Sequence, residues 1–272
     1  NMIKIIASDL DGTFLNAKKE ITPRLAAILE KAHEKGAILV PATGRPLFSI
    51  PPAVMEIPSA KYIIASNGAS VYRRGDKKPI ISNCLNPYTS EKIFNMSSGL
   101  DIITEIFIDG QAYISRAHLK SLEKAGFSQT RINYIKSTRI SVDDLYIILK
   151  ENINKIENIN LIFQSMSLRE NFRVNINKSI DACVTTSSPD NIEIGSPKAT
   201  KGSALRELAQ MLNIDRENII AFGDNENDMD MLKFAGTGVI MENADSSLKS
   251  GADIVAPSCD NFGVAAILEK YI

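Results

Sequence analysis

The sequence predicts an α/β protein with a doubly wound parallel sheet and a second domain inserted into it. At both ends of the chain, short apolar runs alternate with amphipathic helical segments, which is typical of parallel strands joined by helical crossovers. Over the middle third this alternation is lost. The expected organisation is a Rossmann-like core formed by residues 1–83 and 189–272, interrupted by an α+β insertion at residues 84–188.

The composition excludes several functional classes. The 272 residues are 44% hydrophobic and 23% charged, with a formal net charge of −1, so no basic surface for nucleic acid is expected. Cys84, Cys183 and Cys259 are widely spaced, and His33 and His118 are the only histidines, which argues against cysteine zinc sites and histidine triads. No apolar run has membrane-spanning length and no signal peptide is recognised, so a cytoplasmic location is expected. No sequence feature indicates an oligomeric state.

The first part of the core has the clearest pattern. Residues 2–7 are an apolar run that predicts a strand buried on both faces. Thr22 and Pro23 predict a helix start, and apolar residues at helical spacing follow up to Gly36. Two more buried strands are predicted at residues 37–40 and 62–65, and a hairpin is predicted at residues 71–81.

The insertion is predicted from weaker signals. Helices are expected at residues 87–96 and 142–150, and a hairpin at residues 102–114, where Asp109-Gly110 suits a tight primed turn. Short strands are expected at residues 161–163, 172–174 and 182–184, with loops at 152–160 and 185–189. The regular alternation is expected to resume at Ile192. It predicts helices beginning at Lys201, Met229 and Phe262, and strands at residues 218–222, 239–241 and 254–255.

Two carboxylates, Asp9 and Asp11, directly follow the first strand. Like charges so close repel each other unless a cation or a proton lies between them. Oxygen ligands of this kind suit Mg²⁺, which is usually held by one or two carboxylates together with substrate phosphate and water. A simple Asp-Gly turn at the end of a strand is the structural alternative.

Other polar residues occupy the same position after their strands. Thr43, Asn67 and Asp224 each come after the last apolar residue of a predicted parallel strand. Because the carboxyl ends of such strands open into one crevice where ligands bind, these residues are expected near Asp9 and Asp11.

Four motifs resemble those of the haloacid dehalogenase-like (HAD) superfamily, in the right order and spacing: Asp9-Leu10-Asp11-Gly12-Thr13, Thr43-Gly44-Arg45, Lys201-Gly202 and Gly223-Asp224-Asn225-Glu226-Asn227-Asp228. The insertion resembles the C2-type cap of Cof-type phosphatases. The resemblance implies a Mg²⁺-dependent phosphatase that acts on a small phosphorylated metabolite, with a sugar phosphate as the expected substrate.

The resemblance also implies a role for each motif residue. Asp9 would be the nucleophile that forms an aspartyl-phosphate, and Asp11 would act as general acid and then as general base. Mg²⁺ would be held by Asp9, the backbone carbonyl of Asp11, and Asp224. The implied phosphate-binding residues are Leu10, Thr43, Gly44, Lys201 and Asn227.

Some residues are assigned less directly. Asp228 would orient Lys201 or a metal-bound water rather than bind the metal itself. Arg45 fits either a role at the site or a surface ion pair, and Asn67-Gly68 is expected to shape the rim of the crevice. Cys259-Asp260-Asn261-Phe262-Gly263-Val264 departs from the family pattern by lacking two acids, which puts in doubt a role for this loop at the site entrance.

Two alternative functions remain open at the level of sequence. A phosphomutase of the same superfamily would need cationic side chains to hold a second phosphate, and the insertion offers Arg116, Arg131, Arg139, Arg169 and Arg173. A non-catalytic regulator that binds sugar phosphates would have no need of the nucleophile.

Overall fold

The computed structural model describes residues 2–124 and 126–272, and in it the chain divides into two compact units. The first unit contains the chain up to Gly44, Ile50–Ser82 and Thr200–Ile272, and the second contains Arg45–Ser49 and Asn83–Ala199. None of the helices in the described ranges has the length and apolar character needed to cross a membrane.

The described residues form strands and helices that we number along the chain. The strands are β1 (Ile5–Ser8), β2 (Ile38–Pro41), β3 (Tyr62–Ala65), β4 (Ser70–Arg73), β5 (Ile81–Ser82), β6 (Ile102–Ile108), β7 (Gln111–Ser115), β8 (Arg139–Val142), β9 (Ile156–Phe163), β10 (Cys183–Thr185), β11 (Asn191–Gly195), β12 (Ile219–Gly223), β13 (Thr237–Met241) and β14 (Ile254–Ala256). The helices are α1 (Pro23–Glu34), α2 (Pro52–Met55), α3 (Pro87–Ser97), α4 (Arg116–Lys124), α5 (Gln129–Thr138), α6 (Leu145–Glu151), α7 (Met166–Ser179), α8 (Lys201–Met211), α9 (Met229–Phe234), α10 (Ser246–Lys249) and α11 (Gly263–Leu268).

The first unit is built on a parallel sheet with strand order β14-β13-β12-β1-β2. β1 lies between β12 and β2, and all four of its residues are buried, as the apolar run predicts. Two parallel bridges, Leu39 to Ala60 and Ala42 to Ile64, place β3 next to β2. On its other edge β3 pairs antiparallel with β4, which pairs with β5 in the predicted hairpin.

Helix α1 begins as the sequence predicts. The Thr22 side chain caps it by accepting a hydrogen bond from the Leu25 amide at 3.3 Å, and Pro23 is its first residue. The apolar positions of α1 are buried, because they face the sheet at helical spacing. The residues concerned are Leu25, Ile28, Leu29 and Ala32.

The second unit is built on a six-stranded sheet with strand order β10-β11-β9-β6-β7-β8. All of its strand pairs are antiparallel except β7 with β8. One apolar cluster contains Ile and Leu residues of β6, β9 and β11 together with residues of α3, α6 and α7. A smaller cluster joins the opposite face to α4 and α5. The tight turn predicted at Asp109-Gly110 connects β6 to β7.

The structure corrects four expectations in this unit. The expected loop at 152–160 contains the first half of β9, and the expected strand at 172–174 lies within α7, where Phe172 and Ile176 are buried one helical turn apart. The expected helix at 142–150 begins only at Leu145. The parallel core does not resume at Ile192, because β11 pairs antiparallel with β9 and β10, and the first unit resumes at Thr200.

Candidate functional site

The site is centred on Asp9, which directly follows β1. Its backbone amide donates a hydrogen bond to the carbonyl of Phe222 at 2.9 Å, so the residue continues the pairing of β1 with β12. Its side chain is buried, and Oδ1 accepts a hydrogen bond from Lys201 Nζ at 2.7 Å. The sheet therefore holds the Asp9 carboxylate at the end of a central strand, next to a cation.

Lys201 is the cation of the site and the first residue of α8. Thr200 caps this helix by accepting a hydrogen bond from the Ser203 amide at 3.0 Å, which fixes where the lysine emerges. The Lys201 side chain is completely buried, and its Nζ also contacts Asp228 Oδ1 at 2.6 Å. A buried ammonium group is unfavourable unless it is paired, and two carboxylates pair it here.

Asp228 receives hydrogen bonds on both of its oxygens. Oδ1 accepts from Lys201, and Oδ2 accepts from the backbone amides of Asp224 and Asn225 at 2.9 and 3.0 Å. Its position is therefore fixed by the turn after β12, and it can in turn fix Lys201. The orienting role of Asp228 stays a prediction.

Asp224 lies on the same turn and faces the loop that follows Asp9. Its Oδ1 accepts a hydrogen bond from the Thr13 hydroxyl at 2.9 Å. A Cβ atom at Gly12, where φ is +87°, would lie 2.6 Å from Asp224 Oδ2, so glycine is needed for this approach. The two acidic loops are thus held together.

The charges of the cluster shift its pKa values. Burial raises the pKa of Asp9 well above its usual value; Lys201 opposes this shift, while Asp228, Asp224 and Asp11 reinforce it. Burial, followed by the charge of Asp228, raises the pKa of Asp224 to about 7. Burial alone would lower the pKa of Lys201, but the charges of Asp228 and Asp9 raise it above the usual lysine value.

The donor set fits a hard divalent cation. Asp9, Asp224 and Asp228 each offer an oxygen, and these three atoms lie within 4.8 Å of one another. Three carboxylates share the single ammonium of Lys201, so a further positive charge would relieve their repulsion. Among the described residues, Asp228 accepts three N–H hydrogen bonds of 2.6–3.0 Å, more than Asp9 or Asp224 accepts at such distances, so Asp9 and Asp224 are better suited to direct coordination.

The Asp11 side chain is not part of this cluster. Its Oδ1 forms an ion pair with Lys19 Nζ at 2.7 Å, and both side chains are partly exposed. The sequence predicts only the backbone carbonyl of Asp11 as a metal ligand, and this prediction does not require the carboxylate to lie near Asp9. The carboxylate is available for proton transfer only if it leaves Lys19.

The predicted phosphate-binding residues other than Lys201, which begins α8, lie in the segments that follow strands β1, β2 and β12. The Thr43 amide donates to Ile64 O at 2.9 Å and the Asn67 amide donates to Thr43 O at 3.0 Å, which joins the segments after β2 and β3. Asn227 Nδ2 donates to Asn67 Oδ1 at 2.9 Å. The Leu10 side chain is fully buried, so only its backbone can contact phosphate, and Gly44 is the last residue of its segment of the first unit.

Sequence reasoning missed Asn243, which links three loops. Its Nδ2 donates to Gly12 O at 2.9 Å and lies 3.4 Å from Asp224 Oδ2, while its Oδ1 accepts from the Cys259 amide at 3.2 Å. The available signal was its position just after β13, equivalent to that of Asp224 after β12. Although the loop at 259–264 departs from the family pattern, it contacts Asn243 and also reaches Ala17, whose amide donates to Asp260 Oδ1 at 2.8 Å.

Arg45 lies in the second unit. Its guanidinium stacks over the ring of Tyr134, 4.6 Å from the ring centroid, and donates to the carbonyl of Ser49 at 2.9 Å. Neither of these contacts is the surface ion pair that the sequence offered as one alternative.

Comparisons with known proteins identify the family of the chain. The profile of the family described as haloacid dehalogenase-like hydrolase matches residues 6–268. The chain is similar to phosphatase YwpJ of Bacillus subtilis (30% identity; 99% of this chain and 100% of the relative covered) and to pyridoxal phosphate phosphatase YbhA of Escherichia coli (27%; 99% and 98%). It also resembles the solved structure of a haloacid dehalogenase-like hydrolase from B. subtilis, with a TM-score of 0.85, 27% identity, and 99% and 100% of the two chains covered.

Proposed function

Because the chain belongs to the haloacid dehalogenase-like hydrolase family and is a phosphoric monoester hydrolase of the Cof type, we propose that it is a Mg²⁺-dependent phosphatase that hydrolyses a sugar phosphate through an aspartyl-phosphate. The observation that carries the proposal is the buried contact of Asp9 Oδ1 with Lys201 Nζ at 2.7 Å, in a cluster with Asp224 and Asp228. We also propose that it acts in the cytoplasm, as the sequence predicts.

In the first step an oxygen of Asp9 attacks phosphorus and forms an O–P bond, while the bond from phosphorus to the ester oxygen breaks. Asp11 gives its proton to the departing oxygen. In the second step Asp11 takes a proton from water, the water oxygen attacks phosphorus, and the bond to Asp9 breaks. The products are the alcohol and inorganic phosphate, and Asp9 and Asp11 return to their initial states.

Binding of the phosphoryl group is assigned to the residues around Asp9. The Thr43 hydroxyl, Gly44, the Leu10 backbone, Lys201 and Asn227 would hold its oxygens in line with Asp9. Mg²⁺, held by Asp9, Asp224 and the Asp11 carbonyl, would when bound reduce the repulsion between the nucleophile and the phosphoryl oxygens. The fixed contacts of Asp228 support its role in orienting Lys201.

We propose that the second unit is the cap that the resemblance implies, and that its polar side chains favour a hydroxyl-rich substrate. One face of its sheet carries buried hydrogen-bonding side chains, including the neutral Asn158 and Thr185 and the acidic Glu105 and Glu193. Within the described residues, Asn158 Oδ1 and Thr185 Oγ1 have no hydrogen-bond partner. Buried polar atoms of this kind are satisfied by hydroxyl groups better than by an apolar or aromatic surface.

The same unit gives little support to the phosphomutase alternative. A second phosphate would need free cationic side chains, yet four of the five arginines considered are engaged with carboxylates. Arg116 pairs with Asp143, Arg131 with Asp190, Arg139 with Glu105, and Arg169 with Glu170.

The mechanism is tested with two isosteric variants and an aryl phosphate, by rapid-quench detection of protein-bound phosphate. Asp9→Asn lacks the nucleophile and is expected to form no phosphoenzyme. Asp11→Asn is expected to form one that decays slowly, and to lose about 10²–10⁴-fold in turnover of alkyl phosphates, because no base activates water and no acid protonates the leaving group. Phosphoenzyme at the parent level in Asp9→Asn would show that the nucleophile is misassigned.

The metal and the substrate are tested by a turnover screen over phosphorylated metabolites with Mg²⁺, with Ca²⁺ and with excess chelator. We expect Mg²⁺ to support turnover better than Ca²⁺, which prefers more ligands and looser geometry, and chelator to abolish it. Hexose and pentose phosphates are expected to exceed pyridoxal phosphate in kcat/KM. Full turnover in chelator would refute the metal assignment, and a preference for pyridoxal phosphate would refute the assigned substrate class.

A further inference from the structure

The carboxamide of Asn67 is in direct contact with that of Asn227. Asn227 Nδ2 donates to Asn67 Oδ1 at 2.9 Å, although the two residues are 160 positions apart in the chain. The Asn67 amide also donates to the carbonyl of Thr43 at 3.0 Å. Asn67 therefore connects two elements to which phosphate binding is assigned, the segment at Thr43 and the turn that carries Asn227.

The backbone fixes the position of Asn67. Ser66, Asn67 and Gly68 are consecutive residues with positive φ, at 49°, 56° and 92°, and all three are buried. Asparagine tolerates this region better than most residues, but three such residues in a row are costly and persist only where the surroundings determine them. A Cβ at Gly68 would lie 2.1 Å from the carbonyl oxygen of Thr200, so the turn packs directly against the start of α8.

The second observation concerns Oδ1, the oxygen of the Asn227 carboxamide. Asn227 Oδ1 is buried and has no hydrogen-bond partner among the described residues. A phosphoryl group presents only acceptor oxygens when it is fully ionised, so it would be repelled by Oδ1 turned towards it, whereas the NH₂ end would donate to it. The two ends of a carboxamide have the same shape, so a half-turn exchanges them without new space.

Asparagine at position 67 suits both orientations, because it offers an acceptor at one end and donors at the other. With Oδ1 towards Asn227 it accepts from Nδ2, as observed. With both carboxamides turned, Asn67 Nδ2 would donate to Asn227 Oδ1, and the Asn227 NH₂ group would be released. The formerly unpartnered oxygen would then be satisfied.

We propose that Asn67 is a positioning residue for phosphate binding: it holds the carboxamide of Asn227 and, when phosphate is bound, turns with it so that the Asn227 NH₂ group donates to a phosphoryl oxygen. This inference rests on the phosphate-binding role proposed for Asn227. It assigns to Asn67 a role beyond shaping the rim of the crevice.

Two substitutions at Asn67 distinguish an effect on the orientation of the Asn227 carboxamide from an effect of backbone strain at position 67. Asn67→Asp is isosteric and tolerates the left-handed region, but an ionised carboxylate can only accept, so it keeps Asn227 in the orientation that presents Oδ1. Asn67→Gly also tolerates the backbone and leaves Asn227 free to turn. We expect Asn67→Asp to bind inorganic phosphate about 10- to 100-fold more weakly than the parent, and Asn67→Gly to lie between them.

Binding of inorganic phosphate is measured by isothermal titration calorimetry on the full chain with Mg²⁺, together with kcat and KM for an aryl phosphate and the thermal unfolding midpoint. Loss of a contact made equally to substrate and transition state raises KM with little change in kcat. Both variants are expected to be folded at the assay temperature, with a lower unfolding midpoint for Asn67→Asp because its carboxylate is buried. Equal phosphate affinities for Asn67→Asp and Asn67→Gly would overturn the proposal.

The added charge of Asn67→Asp could also repel phosphate directly, and the same pair of substitutions in an Asn227→Ala background tests this. If Asn67 acts through Asn227, the difference between Asn67→Asp and Asn67→Gly vanishes there. A difference that persists overturns the proposal. If Asn227→Ala alone leaves the affinity for inorganic phosphate unchanged, both this inference and the role proposed for Asn227 are overturned. If Asn227→Ala weakens phosphate binding but Asn67→Asp and Asn67→Gly, each made in the parent, bind phosphate equally well, only this inference is overturned.

Discussion

At the scale of single residues, Lys201 shows how charge and burial are balanced in this protein. Its ammonium group is fully buried and contacts Asp9 and Asp228 at 2.7 and 2.6 Å. Such a group is stable in the interior only because both contacts are made, and each carboxylate depends on it in turn. Lysine is also in an unfavourable place at the start of a helix, where the helix dipole is positive. The costs of burying the ammonium and of placing it at a helix N-terminus are explained if the group is needed for the phosphate binding proposed for Lys201.

We expect Lys201→Met to lower the free energy of unfolding by about 3–5 kcal/mol at neutral pH, because it leaves buried carboxylates without their cation. The double variant Lys201→Met with Asp228→Asn is the matched control, and it is expected to regain part of that loss, since one of the two charges is then removed. Neither variant is expected to turn over substrate. Urea unfolding of the parent and both variants gives their free energies of unfolding. Equal values for the single and double variants would contradict the expectation that the Asp228 carboxylate depends on the Lys201 ammonium.

The sequence predicts the acidic residues of the site because they follow parallel strands, and topology alone brings such positions together. Thr13 and Lys19 could not be found in that way, and the position of Asn243 after a parallel strand does not reveal which loops its side chain contacts. Their contacts depend on how side chains reach across loops: Thr13 to Asp224, Lys19 to Asp11, and Asn243 to Gly12. No local pattern in the sequence encodes these distances.

At the scale of elements, the parallel strands were predictable because they are buried on both faces and appear as unbroken apolar runs. For β9 only its end, at residues 161–163, was predicted; its first half was not, because Asn158 and Asn160 resemble loop residues although they are buried on one face of the sheet. Asn160 Nδ2 donates to Glu105 Oε2 at 2.9 Å, so this buried amide group finds its partner 55 positions away in the sequence. Apolar triplets such as 172–174 are too short to distinguish a strand from a helix.

Helix α4 is joined to β6 by a titratable contact. The amide of Thr104 donates a hydrogen bond to Nδ1 of His118 at 3.2 Å, which requires that nitrogen to be unprotonated. Burial lowers the pKa of His118 below its usual value of 6.5, so the folded state favours the neutral imidazole. As pH falls through 6.5, His118 takes up a proton in the unfolded chain before it does so in the folded one. The free energy of unfolding therefore decreases until the pH reaches the lowered pKa of the folded state.

We therefore expect the parent to lose more stability than His118→Asn when the pH is lowered from about 7.5 to about 5.5. Asparagine can place an acceptor near the position of Nδ1 but does not titrate. Urea unfolding of both proteins at each pH gives the difference between them, which cancels the contribution of other titrating groups. An equal loss in the two proteins would mean that the protonation of His118 is not coupled to folding.

At the scale of the whole molecule, loss of the α/β alternation predicts that there is an insertion, but the end of the insertion is harder to place. β11 is followed along the chain by α8, as a strand of the parallel core would be, and this order produced the expectation that the core resumes at Ile192. Its apolar residues alternate, which is typical of an antiparallel strand, and it pairs with β9 and β10. Pairing is a property of the folded chain, and for this reason the expected boundary at 188 differs from the one at Ala199.

We expect a fragment of residues 83–199 to fold cooperatively by itself, because it is continuous in sequence and contains the whole six-stranded sheet with its apolar cluster. The shorter fragment 84–188 lacks β11, which leaves β10 without its partner and exposes an edge of β9. It is expected to aggregate or to unfold without a sharp transition. Circular dichroism during urea unfolding compares the two, and a cooperative transition in the shorter fragment would contradict this expectation.

The position of β1 between β2 and β12 has a consequence for the synthesis of the protein on the ribosome. Thr13 and Asp224, which follow β1 and β12, are 211 positions apart. At ordinary translation rates β12, the second neighbour of β1, is therefore synthesised about 10–40 s after β1. During that interval one edge of an apolar strand is unpaired and open to wrong partners, the condition in which chaperones act on nascent chains. The six-stranded sheet, whose strands all emerge before β12, can form while β1 is still waiting.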